Sequence, residues 1–331
     1  MTRTSIRITA VLMAVMALAA AAPAWAAADS PPPPTTAGPT TPAAERGSQP
    51  KAGTKDAPAP AGKPAEQGPD HPADPAAPAG ADAAVAQDDD PDLDINYAQP
   101  DFMLSALPTT LRVPRNRLTF RLTHRFNQPL EDSGIGDLWG MDSGALIGFE
   151  FRFGLVPGGQ VGFYRTSDST IEFFSQYDVL KQGGGMPVGI AAFGSVEGTD
   201  NFTDKYSPAI GAVISREIGS RAAVYAHPFW INNSNPDPSE LVDDNSTMIV
   251  GLGVRLRVFS NTYLVAETAP RVAGYSPGSA HVSFGIEQRA GGHIFQITFA
   301  NSQGTTPANV ARGGSSANNW YLGFNLARKF Y

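Results

Sequence analysis

The C-terminal two-thirds of the chain alternates between apolar residues and polar or small residues with a period of two. In the last stretch, residues 320–331 (WYLGFNLARKFY), Leu322 and Phe324 fall on one face of an extended chain, and Gly323 and Asn325 fall on the other. This period is that of a β-strand with one apolar face. A long terminal strand leaves backbone groups unpaired and open to association unless another strand covers them. We therefore expect the last strand to pair with the first and to close a barrel.

The same design recurs upstream. Residues 117–126 (RLTFRLTHRF) and 145–153 (ALIGFEFRF) each place Leu, Ile or Phe on one face and charged, Thr or Gly residues on the other. Further strands are predicted near 160–166, 169–179, 187–196, 207–217, 221–230, 246–259, 262–269, 281–289 and 294–301. The total of about twelve is even, as expected for a single-chain bacterial barrel, and several stretches are long enough to cross a bilayer when tilted.

The connections between these strands alternate in length. Long polar connections are predicted at 127–144, 197–206, 231–245, 270–280 and 302–319, and short ones at 156–159, 180–187, 218–220, 260–261 and 290–292. Only the connection at Ser167-Asp168 is short where a long one is due. Long and short loops at opposite ends are typical of outer-membrane barrels, whose short turns face the periplasm. The sequence thus predicts an all-β, closed, antiparallel up-and-down transmembrane barrel of about twelve strands, with both termini periplasmic.

The N-terminus carries the pattern of a cleaved secretory signal peptide. Arg3 and Arg7 precede an apolar run from Ile8 to Ala22, and a small-x-small cleavage pattern ends at Ala26. The expected organisation is a signal peptide at 1–26, a linker at 27–95 and a barrel domain at 96–331. Export of a strand-rich chain predicts location in the outer membrane of a Gram-negative bacterium, with outer-membrane lipid and the outer-membrane assembly machinery as partners.

The linker is rich in Pro and Ala and nearly lacks large apolar residues, so we expect it to be disordered. Residues 1–95 hold 6 basic and 12 acidic side chains, whereas the remainder holds 18 and 19, so the net charge of −7 belongs mainly to this region. Its acidic end, QDDDPDLD at 87–94, contains the residue types of a weak calcium site. A solvated acidic linker is the favoured interpretation, because Gly and Glu are missing from the positions that close a calcium loop.

Composition excludes several kinds of chemistry. The chain has no Cys, so it has no disulfide, no thiolate metal site, no covalently attached c-type haem and no lipid-modified N-terminal Cys. No two His residues have close metal-ligand spacing, and no Gly-rich phosphate motif precedes a helix. We expect no cofactor and no metal, and the lack of a basic stripe predicts no nucleic-acid partner.

Four stretches carry a resemblance to a known family: DLWGMDSGALIGFEFRFGLVPGGQVGFYRTSDSTIEFFSQYDVL at 137–180, AVISREIGSRAAVYAHPFW at 212–230, NTYLVAETAPRVAGY at 261–275 and NNWYLGFNLARKFY at 318–331. The chain resembles, over about residues 96–331, an uncharacterised bacterial family of β-barrel proteins that is classified as a domain of unknown function. The resemblance implies the barrel fold, and it implies no activity.

If the apolar strand faces meet lipid, charged side chains line the lumen. The candidate pore-lining residues are Arg117, Arg121, Arg125, Glu150, Arg152, Glu172, Asp178, Arg255, Arg257, Glu287 and Arg289. In a water-filled lumen these charges would sort solutes, which predicts a passive or weakly selective channel for small solutes. The alternative is that they pair and fill the lumen. The barrel would then be a non-conducting scaffold that anchors the N-terminal tail for a periplasmic protein or the cell wall.

An enzyme is a third hypothesis. His281-Val282-Ser283 resembles the His-x-Ser of outer-membrane phospholipases, but Phe284 stands where an orienting Asn would be needed. The period of two turns His281 and Ser283 toward the lumen, away from lipid. We therefore assign no catalytic residue and expect no enzymatic activity.

Overall fold

The structure is a computed structural model that describes residues 93–235 and 245–331. The predicted signal peptide and the predicted linker, except for its last residues from Leu93, lie outside the described residues. The described chain is almost entirely β. Its helices are all too short, or insufficiently apolar, to cross a membrane.

Twelve antiparallel strands form a closed barrel in the described residues. The strands are β1 (Leu118–Phe126), β2 (Ala145–Val156), β3 (Gly159–Thr166), β4 (Ile171–Leu180), β5 (Gly189–Thr199), β6 (Asp204–Ile218), β7 (Ala222–Asn232), β8 (Ser246–Arg257), β9 (Thr262–Ala269), β10 (Arg271–Gly274), β11 (His281–Ala290), β12 (His293–Ala300) and β13 (Tyr321–Lys329). The short β10 follows β9 after Pro270 and continues its pairing along β8, so the two act as one strand of the barrel.

Pairing between the first and last strands closes the barrel. β13 pairs antiparallel with β1, with Leu122 opposite Leu326, while β8 pairs with both β7 and β9. Every long strand edge is thereby covered, which removes the exposed edge that a terminal strand would otherwise present. The predicted closed antiparallel barrel is confirmed.

The outer surface is apolar and the inner surface is mixed. Along β2, Phe149, Phe151 and Phe153 are 45%, 44% and 37% exposed, whereas Glu150 and Arg152, between them, are 6% and 1% exposed. The same alternation on the other strands gives an outer wall of Phe, Ile, Val and Leu side chains. A continuous apolar surface of this extent is unfavourable in water and favourable in lipid.

The connections sort into two ends, as predicted. The turn end holds 157–158, 181–188, 219–221, 258–261 and 291–292, and the loop end holds 127–144, 167–170, 200–203, 233–245, 270–280 and 301–320. One predicted length is wrong: the connection expected at 197–206 is short, because β5 and β6 extend to Thr199 and Asp204, which still pair. The first loop contains two 3-10 turns, Leu130–Asp132 and Ile135–Gly140.

The lumen is filled from both ends. Residues 96–113, called here the plug, enter from the turn end, and every residue from Ala98 to Thr109 is buried. From the loop end, the last loop folds inward and forms helix α1 (Pro307–Arg312), whose residues Ala308, Val310 and Ala311 are buried. Neither filling element was expected from the strand pattern.

Candidate functional site in the barrel lumen

The structure places the candidate pore-lining residues inside the barrel. Seven are buried: Arg121, Arg125, Glu150, Arg152, Glu172, Arg255 and Glu287. Four are half-buried toward the turn end: Arg117, Asp178, Arg257 and Arg289. Most of the buried charges contact the plug or other wall residues, so the residues that were expected to meet solutes meet the chain itself. Their role in conduction stays a prediction.

The tip of the plug is a tight turn bound by one carboxylate. Met103 and Pro108 form an antiparallel bridge, and the Leu104 N–H donates to the Leu107 carbonyl at 2.7 Å. The N–H groups of residues 105, 106 and 107 all donate to the carboxylate of Glu267 on β9, at 3.1, 2.7 and 3.1 Å. Three converging backbone donors satisfy a buried carboxylate well, so Glu267 fixes the tip in place.

The opposite side of the same tip meets two arginines. The Ser105 carbonyl accepts from Arg121 Nη2 at 2.6 Å, from Arg125 Nη2 at 3.3 Å and from Asn325 Nδ2 at 3.4 Å. Arg121 and Arg125 lie four residues apart on β1, so their side chains project from the same strand face. The Ser105 peptide is therefore held between cations at its carbonyl and an anion at its N–H.

A second cluster holds the plug just before its tip. Arg255 donates to the Met103 carbonyl at 2.6 Å and to the Asp101 carbonyl at 3.3 Å, and it forms an ion pair with Glu287 at 2.9 Å. Gln296 Nε2 lies 3.2 Å from both the Leu104 carbonyl and Glu287, and donates to each. Backbone carbonyls of the plug thus take the place that water would have in an open lumen.

Arg152 combines a carboxylate with aromatic contacts. Its guanidinium forms an ion pair with Glu150 at 2.8 Å and lies over the rings of Phe174 and Phe102, 4.6 and 5.5 Å from their centroids. Phe102 belongs to the plug, and cation–π contacts strengthen when they are removed from water.

Residues near the turn end hold the start of the plug. The Tyr97 ring lies under the guanidinium groups of Arg257 and Arg289, 4.6 and 5.6 Å from them. Asn96 and Gln99 both donate to Glu217 of β6. These contacts place the entry of the plug between β6 and β11.

The remaining wall, formed by β5 to β8, has a mainly apolar inner face, with Glu197, His227 and Arg255 among its polar exceptions. Its buried inward side chains are Ala191, Phe193, Ala209, Val213, Ala223, Tyr225, Phe229, Ile231 and Ile249. They join one core cluster with Leu104 and Leu107 of the plug and with the buried residues of α1. In the described residues, this part of the lumen is therefore lined by a packed, largely apolar core.

Two glycines of β8 make room for the plug. A Cβ at Gly253 would lie 2.2 Å from Leu104 Cδ1, and a Cβ at Gly251 would lie 2.9 Å from Leu107 Cδ1. Polar groups complete the fit, since His227 Nε2 lies 2.6 Å from the Pro108 carbonyl and Gln176 donates to the Thr109 carbonyl at 3.0 Å. The wall is therefore shaped to this segment.

The loop end is closed around Glu197. Thr306 caps the N-terminus of α1: its hydroxyl accepts the Asn309 N–H at 3.3 Å and donates to Glu197. Arg312 at the end of α1 forms an ion pair with Glu197 at 3.0 Å and donates to the Ser234 carbonyl at 2.8 Å. The helix is thereby tied to β5 and to the loop after β7.

A serine, an imidazole and a carboxylate lie in series beside the plug. His281 Nδ1 is 2.7 Å from the Ser302 hydroxyl, and His281 Nε2 is 3.0 Å from Glu267. All three are buried, and Glu267 is the carboxylate that already binds the plug tip. Ser283 also faces inward, as predicted, but its hydroxyl is buried without a hydrogen-bond partner in the described structure.

The sequence interpretation missed two features of the lumen, although a residue pattern in the sequence indicates each of them. Glu267 stands as the one charge in an apolar strand, TYLVAETA, on the face that the period turns inward. The inner apolar wall shows as strands without a polar face, such as VYAHPFWI in β7 and MIVGLGV in β8. Strands that are apolar on both faces are buried on both faces, which points to a filled lumen.

A closed antiparallel barrel with an apolar outside and a mixed inside defines a β-barrel membrane protein. The chain belongs to the family described as "Membrane bound beta barrel domain (DUF5777)", whose model matches residues 101–330. This confirms the resemblance seen in the sequence, and the matched region includes most of the plug.

Solved structures of outer-membrane proteins resemble the chain at low identity. The chain is similar to a KdgM porin in complex with disordered oligogalacturonate (8% identity, TM-score 0.42, covering 65% of this chain and 99% of the porin) and to a NanC porin (9%, 0.43, 65% and 99%). It is also similar to outer membrane phospholipase A from Escherichia coli (12%, 0.37, 64% and 90%). No curated protein matches the chain.

Proposed function

We propose that the protein is an outer-membrane barrel that is closed to solutes and that works as a scaffold, anchoring its N-terminal region for a periplasmic protein or the cell wall. The observation that carries this proposal is the filled lumen, in which the plug from Ala98 to Thr109 is buried throughout. The first and last barrel strands begin and end at the turn end, and short turns face the periplasm in outer-membrane barrels, which supports a periplasmic anchoring role.

The contacts favour the scaffold over the passive channel. Polar wall residues bond the plug backbone, and the apolar wall packs against Leu104 and Leu107, so opening the lumen would unpair buried charges and expose a core at once. An open channel needs neither an apolar inner wall nor glycines shaped around a segment of the same chain.

An enzymatic role has weaker support. Ser302, His281 and Glu267 are the residue types of a hydrolytic centre, and their spacing allows hydrogen bonding. However, all three are buried, and the plug occupies the remaining acceptor capacity of Glu267. We therefore interpret this series as a support for the plug.

Conductance tests the closed state. The exported chain, purified and shown to be folded by its heat-modifiable migration in a gel, is reconstituted in a planar bilayer. The scaffold predicts a silent bilayer at all applied voltages. Stable unitary conductance steps from the folded chain would instead establish the channel and overturn the proposal.

Deletion of residues 30–94 tests the anchoring role. The shortened chain keeps the plug and the whole barrel, so it is expected to fold and to remain silent in bilayers. In cells, crosslinking to a periplasmic partner or to the cell wall is expected to be lost. Equal crosslinking of the full and shortened chains would contradict the anchoring role without affecting the closed state.

A further inference from the structure

Among the described residues, four arginines are buried in the lumen, and two of them have no carboxylate partner there. Arg152 and Arg255 form ion pairs with Glu150 and Glu287 at 2.8 and 2.9 Å. Arg121 and Arg125 are just as buried, at 4% and 1% exposure, yet neither has an ion pair among the described residues. A buried cation without a counter-charge is strongly unfavourable unless other groups compensate for it.

The hydrogen-bond acceptors around Arg121 and Arg125 are uncharged, and they do not reach all of the donors of the two side chains. Arg121 donates to the Ser105 carbonyl, and Arg125 donates to that carbonyl and to Asn325 Oδ1 at 2.8 Å, with backbone carbonyls of β1 and β13 completing its contacts. The Nε atoms of both arginines are buried without an acceptor in the described structure. A carboxylate accepts more strongly than an amide carbonyl and can bind an arginine through two oxygens.

The groups around the pair define what else a ligand needs. Glu267 faces the same peptide unit from the other side and takes three backbone N–H groups. A ligand that brought only negative charge would displace those donors and leave Glu267 buried with His281 alone. A ligand with both a carboxylate and amide N–H groups satisfies the arginines and Glu267 together, and a peptide C-terminus is the simplest such group.

We propose that Arg121 and Arg125, with Asn325 and Glu267, form a binding site for the carboxylate end of a short peptide, and that the Ser105 peptide unit of the plug occupies this site as an internal ligand. The inference rests on the closed lumen of the proposed function. The inference adds a ligand-binding site to that closed lumen. A peptide carboxylate competes for this site with the tip of the plug.

Competition couples the two ends of the plug. The ligand and the Ser105 unit cannot share the site, so binding of the ligand favours states in which the plug has left, by the amount of its preference for those states. The start of the plug then loses its contacts at the turn end, such as that between the Tyr97 ring and Arg257. Peptide binding inside the barrel would in this way release the anchored N-terminal region.

A pair of engineered cysteines locks the plug for the test. A Cβ at Gly253 would lie 3.6 Å from Leu104 Cγ, so sulfurs at these two positions come within reach of a disulfide. The variant Leu104→Cys with Gly253→Cys is made in the full exported chain, which has no other Cys. Oxidised and reduced forms of this one protein then differ only in whether the plug can leave.

Binding is measured by calorimetry on the folded protein in detergent, with acetyl-dialanine as the carboxylate probe and its C-terminal amide as the matched neutral probe. The reduced form is expected to bind the carboxylate at least about tenfold more tightly than the amide, since charge-assisted hydrogen bonds are the stronger kind. The oxidised form is expected not to bind the carboxylate probe. The same is expected of the reduced two-cysteine protein that also carries Arg121→Gln and Arg125→Gln. Arg216→Gln, which removes an exposed cation of the outer surface, is expected to leave the affinity unchanged.

Three results would overturn the inference: no binding to the reduced form, equal binding of carboxylate and amide, or binding that survives loss of both arginines. None of these results affects the proposed function, because the absence of conductance is measured separately, on the unmodified chain in a planar bilayer. Conversely, conductance by the unmodified chain would overturn the closed state whatever the calorimetry shows.

Discussion

Arg255 shows at the residue scale how protein groups surround a charge inside the lumen. Its guanidinium and the Glu287 carboxylate are fully buried and lie 2.9 Å apart, and its Nη1 and Nη2 atoms also donate to the carbonyls of Asp101 and Met103. The ion pair is thus made of one wall cation, one wall anion and the backbone of the plug. Removing any one of the three leaves the other two unsatisfied.

Arg255→Met is expected to destabilise the folded barrel by about 3–5 kcal/mol, because Glu287 and two plug carbonyls lose their buried partner. The free energy of unfolding is measured by urea titration in lipid vesicles. The double variant Arg255→Met/Glu287→Met removes both charges and is expected to recover part of the loss. Arg216→Met, on the outside, serves as the control. A single variant as stable as its parent would show that the pair is not buried as described.

Gly253 gives a second prediction at the same scale. A Cβ there meets Leu104 Cδ1, so Gly253→Ala is expected to cost about 1–3 kcal/mol through overpacking against the plug. Leu104→Ala in the same chain removes the clash, and the pair of changes is expected to be less damaging than the sum of the single changes. Additive losses in urea unfolding would contradict contact between the two residues. The matched control is Gly194→Ala, where the nearest atom to the new Cβ is 3.9 Å away.

The elements of the wall and the elements of the filling differ in how far the sequence predicts them. The wall strands have period-two patterns, so residues such as Glu150 and Arg152 were assigned to the inner face from spacing alone, and the structure places them there. The plug has no such period, because FMLSAL around Leu104 is buried on all sides by several strands. Its placement depends on contacts between residues more than a hundred positions apart, such as Ser105 with Glu267. The alternation of apolar and polar residues within a short stretch of sequence does not predict such long-range contacts.

Helix α1 is an element held by polar contacts at both of its ends, through Thr306 and through Arg312. Thr306→Val removes the hydroxyl that caps the helix and also the donor to Glu197, at a cost of about 1–3 kcal/mol to the local structure. Hydrogen exchange of residues 301–316 is expected to accelerate, while exchange of the barrel strands is unchanged. Ser315→Ala, at an exposed position of the same loop, is the control. Unchanged protection of the loop in the Thr306 variant would show that the Arg312 contacts and the packing of Ala308 and Val310 hold the helix without this hydroxyl.

At the scale of the whole molecule, the two ends of the barrel have different tasks. The turn end admits the plug and holds it through Tyr97 and Glu217, whereas the loop end contributes a cover made from the last loop. The chain enters and leaves the barrel at the turn end, with Leu118 and Lys329 in neighbouring strands. The described structure thus has the start of the plug and the short turns at one end of the barrel and the longer loops at the other.

The difference between the two ends predicts how the barrel is oriented in the outer membrane. Ser220 lies exposed in a turn of the turn end, and Ala317 lies exposed in the last loop. In outer-membrane barrels the short turns face the periplasm, so Ala317→Cys is expected to react with a membrane-impermeant maleimide on intact cells. Ser220→Cys is expected to react only after the outer membrane is permeabilised. The unmodified chain, which has no Cys, provides the blank. The reverse labelling pattern would place the N-terminal region outside the cell, and a periplasmic anchoring role would then be untenable.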